Sequence, residues 1–163
     1  PQQFLDKFTF FRDDIHKLES CLRKTPDRVL YLTDNAGEIY FDRPLFEYLR
    51  ARSRKTILVV KGGPSLNDLT RTELKAAGLE KTFDPVMDTG TDGAGIDWKN
   101  VSNEFMGLIA AADLVISKGM ANFETLYARD MAAPTFFMFK VKCSVIAEHV
   151  GLPLGTDVLK GPG

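Results

Sequence analysis

The chain has 163 residues, with 21 Lys and Arg against 22 Asp and Glu, for a formal net charge of −1; that balance excludes a bulk electrostatic grip on nucleic acid. With 44% hydrophobic and 26% charged residues, the composition is that of one ordinary globular domain able to bury its own core. No apolar run approaches the ~20 residues that span a bilayer, and no signal peptide is read at the Pro1 end.

In chain order, a first helix is predicted over about residues 11–24, with Ile15, Leu18, Cys21 and Leu22 on one face. Residues 29–33 read as a strand, followed by a helical stripe of Leu45, Tyr48 and Leu49. Residues 56–60 and 82–87 read as further strands, with Gly78 placed to stop a helix between them. Phe105, Leu108, Ile109 and Ala112 follow the i, i+3, i+4, i+7 spacing of a helix, and 113–117 is the next strand. Phe123, Leu126 and Tyr127 form another stripe, 134–139 a fifth strand, and Gly151 a last helix stop. Each strand run is apolar on both faces, so the fold class is α/β, a parallel sheet between two helical layers.

Two cysteines, Cys21 and Cys143, lack any C-x-x-C partner, which excludes a zinc ribbon or a thioredoxin-type site. Cys21 reads as a buried core thiol, and two unpaired thiols fit a reducing, cytoplasmic setting. Only His16 and His149 are present, so a metal here is expected on oxygen ligands.

Polar residues gather after the strands. Asp34, Asn35, Ala36, Gly37 and Glu38 follow the first; Lys61, Gly62, Gly63, Asn67 and Asp68 the second; Gly90, Asp92, Gly93 and Gly95 the third. Lys118, Gly119 and Asn122 follow the fourth, and Lys140, Lys142 and Cys143 the fifth. Parallel sheets bind ligands outside the carboxyl ends of their strands, so these groups are expected to converge. Asp34, Asn35 and Asp68 are hard oxygen donors of the kind that suits Mg²⁺ or Mn²⁺. Lys118 and Lys142 add positive charge, and glycine turns offer backbone amides to an anion. Together they describe a phosphate site. Taken singly, each piece has a plainer reading: Asp34-Asn35 as a turn or cap, Asp68 and Glu38 as helix-start acids, the lysines as solvated strand ends. The glycines at 90, 93 and 95 spell neither G-x-G-x-x-G nor a P-loop and read as a flexible loop.

Asp34-Asn35-Ala36-Gly37-Glu38-Ile39 with Phe41-Asp42, then Val60-Lys61-Gly62 and Asn67-Asp68, form the first part of a longer pattern. It continues at Ser102-Asn103-Glu104-Phe105, through 112–124 with Ser117-Lys118-Gly119 and Asn122-Phe123-Glu124, and ends at Lys142-Cys143, Ile146-Ala147 and Gly151. In that order and spacing, over about residues 12–159, the chain resembles the metal-dependent damage-control phosphatases, first catalogued as domain of unknown function 89. The resemblance implies a three-layer Rossmann-like sandwich with a mostly parallel sheet of about five or six strands. It implies a divalent metal (Mg, Mn, Co or Ni) on Asp34, Asn35 and Asp68, and hydrolysis of small phosphorylated metabolites such as sugar phosphates or damaged phospho-metabolites. Asp34, Asn35, Asp68 and Lys118 are then the catalytic set. Gly37, Glu38, Lys118, Asn122 and Lys142 are phosphate- or substrate-binding candidates, and Glu124 is a weaker one.

The resemblance also implies that this is the C-terminal α/β portion of longer family chains. Residues 1–28 are expected as a leading helical segment packed on a metal-binding domain at 29–163. Two departures stand out: no C-x-x-C pair leads the chain, and Met120-Ala121 replaces the glutamine-glycine usual before Asn122. A water or Asp34 is left as nucleophile. Haloacid-dehalogenase enzymes need a second acid two residues after the first, and here that position is Ala36. The alternatives are a non-catalytic phospho-metabolite-binding module and a carboxyl methyltransferase on the same fold; the latter lacks an adenosine-binding fingerprint here. The expected partner is a small phosphorylated metabolite, with no nucleic acid and no membrane, and oligomeric state is left open.

Overall fold

Residues 12–163 are described by a computed structural model. Five strands form where the apolar runs were read, β2 (Arg28–Leu32), β3 (Lys55–Val60), β4 (Val86–Asp88), β5 (Leu114–Lys118) and β6 (Thr135–Lys140), and two short ones not read from sequence join them, β1 (Arg12–Asp13) and β7 (Asp157–Lys160). They make one sheet in the order β1-β7-β6-β5-β2-β3-β4. Every neighbouring pair is parallel except β6 and β7.

The strands bury both faces, as their sequences require. Val29 and Tyr31 of β2 join one core, Leu30 and Leu32 the other. Helices α1 (Ile15–Leu22), α2 (Ile39–Arg50), α3 (Arg71–Ala76) and α4 (Glu80–Phe83) supply Leu18, Phe46, Leu74 and Phe83 to the first core. Helices α5 (Asn103–Ala110), α6 (Met120–Leu126) and α7 (Ser144–Val150) supply Phe105, Phe123 and Ile146 to the second. The expected three-layer, mostly parallel α/β sandwich is therefore the observed fold.

Chain order explains the layering. From β2 the chain moves outward through β3 to β4, then returns to lay β5 against the other side of β2. It continues outward the opposite way. Right-handed crossovers running in opposite directions put their helices on opposite faces. The loops leaving β2 and β5 therefore diverge and open a crevice at the carboxyl edge.

Three local readings change. The 82–87 run divides: Thr82 and Phe83 close α4, Phe83 is fully buried, and pairing with β3 starts at Val86, just after Pro85, which has no N–H to give a ladder. The first helix spans 15–22, because Arg12 and Asp13 pair with β7 instead; residue 11 of the predicted helix, like the rest of 1–11, lies outside the described residues. Cys21 is half-buried at the core edge rather than enclosed, and both cysteines are free. Gly78 and Gly151 do stop helices, at φ of 70° and 69°, in the left-handed region where only glycine is unstrained. Among the described residues, no helix is long and apolar enough to cross a membrane.

Candidate functional site

Two loops are stitched together at the carboxyl edge. After β2 and β3, Ala36 N–H donates to the Asn67 carbonyl at 2.8 Å and Leu69 N–H to the Asp34 carbonyl at 2.8 Å. These bonds make an antiparallel bridge between Asn35 and Asp68. Residues facing each other between two such bonds bring their side chains close, so Asp34, Asn35 and Asp68 share one spot although the whole of β3 lies between Asn35 and Asp68 in sequence. The Asn35 amide nitrogen donates to Asp34 Oδ2 at 3.0 Å and to Glu38 Oε1 at 2.8 Å. With both N–H donors engaged, its carbonyl oxygen is the atom left to bind a cation.

β5 closes the spot from the other side. Gly119, at φ 86°, packs so tightly on Asp34 that a Cβ there would lie 2.2 Å from the Asp34 Cγ. Burial pushes the Asp34 carboxyl above its ordinary value, the Glu38 and Asp68 carboxylates push it further, and Lys142 and Lys118 pull it back in part. Asp68 is likewise raised, by burial that outweighs its attraction to Lys61. Two desolvated carboxylates whose neighbour is a third acid are a place for positive charge.

Lys118 ends β5 between two acids. Its ammonium donates to Asp42 Oδ1 at 2.7 Å and to Glu38 Oε2 at 2.8 Å. Glu38 and Asp42 stand four apart on the turn entering α2 and share a face. Burial alone would lower the Lys118 pKa, but Asp42 and Glu38 raise it. Burial would raise Glu38, yet the Lys118 and Asn35 hydrogen bonds carry it below its ordinary value. At Asp42, burial wins and the carboxyl is raised. The Tyr31 hydroxyl lies buried beside Asp42 without a well-formed hydrogen bond.

The remaining candidates separate. Lys142 is exposed, has no ion-pair partner among the described residues, and lines the same cleft as Asp34. Lys140 is engaged with Asp157 at 2.9 Å and the Gly155 carbonyl at 3.0 Å. Asn122 is 3% exposed and points its amide inward, to the Thr33 carbonyl at 2.9 Å and the Lys118 carbonyl at 2.8 Å. It clamps the ends of β2 and β5 together instead of lining the cleft. Gly37 is exposed in the 3₁₀ turn Ala36–Glu38 with open space where a Cβ would stand. Glu124 is on the exposed side of α6. The glycines at 90, 93 and 95, read as a flexible loop, are packed instead: Cβ atoms at Gly90 and Gly95 would meet Ser102 and the Ala121 carbonyl at 2.6 and 2.4 Å.

A cleft of about 530 Å³ adjoins the acids. Its polar lining includes Asp34, Glu38, Lys118 and Lys142 with the Lys140–Asp157 pair, and its apolar lining includes Phe41, Leu45, Met138 and Phe139. Among the described residues, no three His, Cys, Asp or Glu side chains converge as a metal cluster. The donor set is instead two carboxylates and one amide, all hard oxygens, with burial raising the pKa of both carboxyls. That set fits a hard divalent ion that retains waters. Lys61 and Asp42 stand in the strand-end group and the family pattern but take no site role from sequence, and Tyr31 reads only as part of a strand.

A family model described as the damage-control phosphatase ARMT1-like domain matches residues 2–158. An uncharacterised protein of Methanocaldococcus jannaschii is 39% identical over 150 residues, which are 90% of this chain and 49% of that one. A damage-control phosphatase of Pyrococcus horikoshii is 43% identical over 136 residues, 83% of this chain and 47% of its own. A crystal structure of a DUF89 family protein from Pyrococcus horikoshii superposes with a TM-score of 0.85 at 40% identity, covering 94% of this chain and 53% of that one. The chain thus spans about half the length of the curated relatives it matches.

Proposed function

The chain belongs to the damage-control phosphatase ARMT1-like domain family, and we propose that it is a metal-dependent phosphomonoester hydrolase acting on small phosphorylated metabolites. The observation that carries this reading is the Asn35–Asp68 bridge, which sets two partly buried carboxylates and an amide side by side at the crevice between β2 and β5.

In this reading Asp34, Asn35 and Asp68 hold one divalent ion, Mg²⁺, Mn²⁺, Co²⁺ or Ni²⁺. Such an ion, when bound, polarises a phosphoryl oxygen and lowers the pKa of a water. The chain's own groups do the rest. Lys142 meets the phosphoryl group as a cation that has no ion-pair partner among the described residues. Lys118 keeps one of its three N–H donors for a phosphoryl oxygen, because Glu38 and Asp42 take two. Its fixed charge favours the oxygens on which negative charge grows. Glu38 holds Asn35 and Lys118 in register rather than touching substrate. Phe41, Leu45, Met138 and Phe139 provide the wall for the carbon part of the substrate. Hydrolysis of the P–O bond releases inorganic phosphate and the alcohol.

Phosphate release from p-nitrophenyl phosphate and a sugar-phosphate panel, with each of the four metals, tests this. Release is expected only with metal, and is expected to vanish with chelator and in Asp34→Ala. Tight Mn²⁺ and phosphate binding without turnover would make the chain a binding module. Unchanged Mn²⁺ affinity in both Asp34→Ala and Asp68→Ala would remove the site assignment.

A further inference from the structure

Lys61 stands behind the acidic pair, on the side away from the cleft. It is 5% exposed, and its ammonium donates to the carbonyls of Gly93, at 2.8 Å, and Gly95. Its third neighbour is Asp68 Oδ2 at 3.6 Å. Three acceptors thus surround a group with three N–H donors. Among the described residues, no other side chain donates to or ion-pairs with the Asp68 carboxylate.

The two carbonyls belong to the loop between β4 and α5. Glycine is required there: a Cβ at Gly93 would stand 2.4 Å from the Asp97 Cβ, and one at Gly95 2.4 Å from the Ala121 carbonyl. The loop is docked on α6, where Thr125 Oγ1 accepts from Ile96 N–H at 2.9 Å. α6 begins at the Gly119 elbow that sits on Asp34. A ring of contacts therefore runs from Asp34 through Gly119 and α6 to Gly95, across the Lys61 ammonium to Asp68, and back over the Asn35–Asp68 bridge.

We propose that Lys61 is a positioning residue that closes this ring, fixing the Asp68 carboxylate relative to Asp34 and tying the glycine loop to the metal-binding pair. This rests on the assignment of Asp34, Asn35 and Asp68 as metal ligands. Charge and position act in opposite senses here, which makes the idea testable. A lysine that matters only as a charge repels a cation, so its removal would tighten metal binding. A lysine that positions Asp68 loosens metal binding when removed.

The test uses calorimetric Mn²⁺ binding, the EPR spectrum of bound Mn²⁺, and hydrogen exchange of the amides at 91–97. Lys61→Met is expected to weaken Mn²⁺ at least tenfold, broaden the EPR lines as Asp68 samples more than one position, and speed loop exchange at least tenfold. Protection of β2 and β5 should hold. Unchanged or tighter Mn²⁺ binding in the folded variant overturns the proposal. Gly95→Ala tests the ring without touching Lys61 or the acids, and covers the case in which Lys61→Met fails to fold. Its added Cβ pushes the loop off α6, and Mn²⁺ should bind several-fold more weakly. Unaltered affinity in that variant overturns the coupling. If the wild type itself binds no Mn²⁺, the metal-site reading falls, and the exchange comparison alone decides whether Lys61 ties the loop; unchanged exchange at 91–97 in Lys61→Met would then overturn it.

Discussion

Lys61 and Lys118 occupy corresponding places on either side of β2, one leaving β3 and the other ending β5, and both are drawn out of water. Their environments send them in opposite directions. Asp42 and Glu38 raise the Lys118 pKa against the pull of burial, whereas burial prevails at Lys61 and lowers it. The difference is in the acceptors. Lys118 meets two carboxylates, so it is a fixed positive charge inside a cluster that stays net negative. Lys61 meets two neutral carbonyls and a more distant carboxylate, so it serves as a three-way tie of two hydrogen bonds and one ion pair. One lysine sets the charge of the cleft wall; the other sets the shape behind it.

The largest effect that would break or sharpen this contrast is on stability. Lys118→Met strands Asp42, 5% exposed, without its cation, and should cost about 3–5 kcal/mol in urea unfolding. Gly119→Ala comes next. Its Cβ collides with the Asp34 carboxylate and sits at φ 86°, so about 1–3 kcal/mol of strain is expected. Mn²⁺ affinity should fall with it, at least tenfold by calorimetry. Lys61→Met should cost only about 1–2 kcal/mol, because it leaves two neutral carbonyls and a carboxylate that Lys61 meets only at 3.6 Å. A cost equal to that of Lys118→Met would erase the distinction between fixed charge and tie.

The smallest effect is at Glu38, whose side chain is 39% exposed; Glu38→Gln should lose about 0–1 kcal/mol at neutral pH. Its folded-state pKa lies below the ordinary 4.5. The Glu38 contribution is therefore complete above 4.5 and fades as pH falls through the lowered folded value. Wild-type and Glu38→Gln unfolding midpoints should converge in that acid range, and a gap that persists at the acid end would argue against the ion pair as its source.

Much of this was legible in the sequence because it rests on local pattern. Runs apolar on both faces announced the buried strands, and the crowding of acids, amides and lysines after them announced the polar carboxyl edge. Asp34, Asn35 and Asp68 do meet. What escaped depended on distant partners or on atoms every residue shares. Lys118 finds Glu38 and Asp42 at sequence separations of 80 and 76, which no spacing argument reaches. A lysine at a strand end reads as solvated, and Lys61 is held by glycine carbonyls that carry no side-chain signature. Asn122 looked like a ligand group because its use on two backbone carbonyls needs the packed ends of β2 and β5 to be seen. β7 is four residues long and β1 two, too short for periodicity to register.

The outermost strand beside β3 has a further meaning. β4 is only three residues long, and the Arg71 guanidinium folds over it, donating to the Val86 carbonyl at 2.8 Å and to Asp88 Oδ2 at 2.7 Å. A sheet margin offers unpaired backbone groups as a template for strands of other molecules, and natural proteins blunt it with shortness and charge. Here one arginine supplies the charge and fills a carbonyl that an intruding strand would need. Arg71 thus guards the sheet against edge-to-edge aggregation, and its loss would surface as a lower solubility limit on prolonged incubation while the folded molecule itself stays intact.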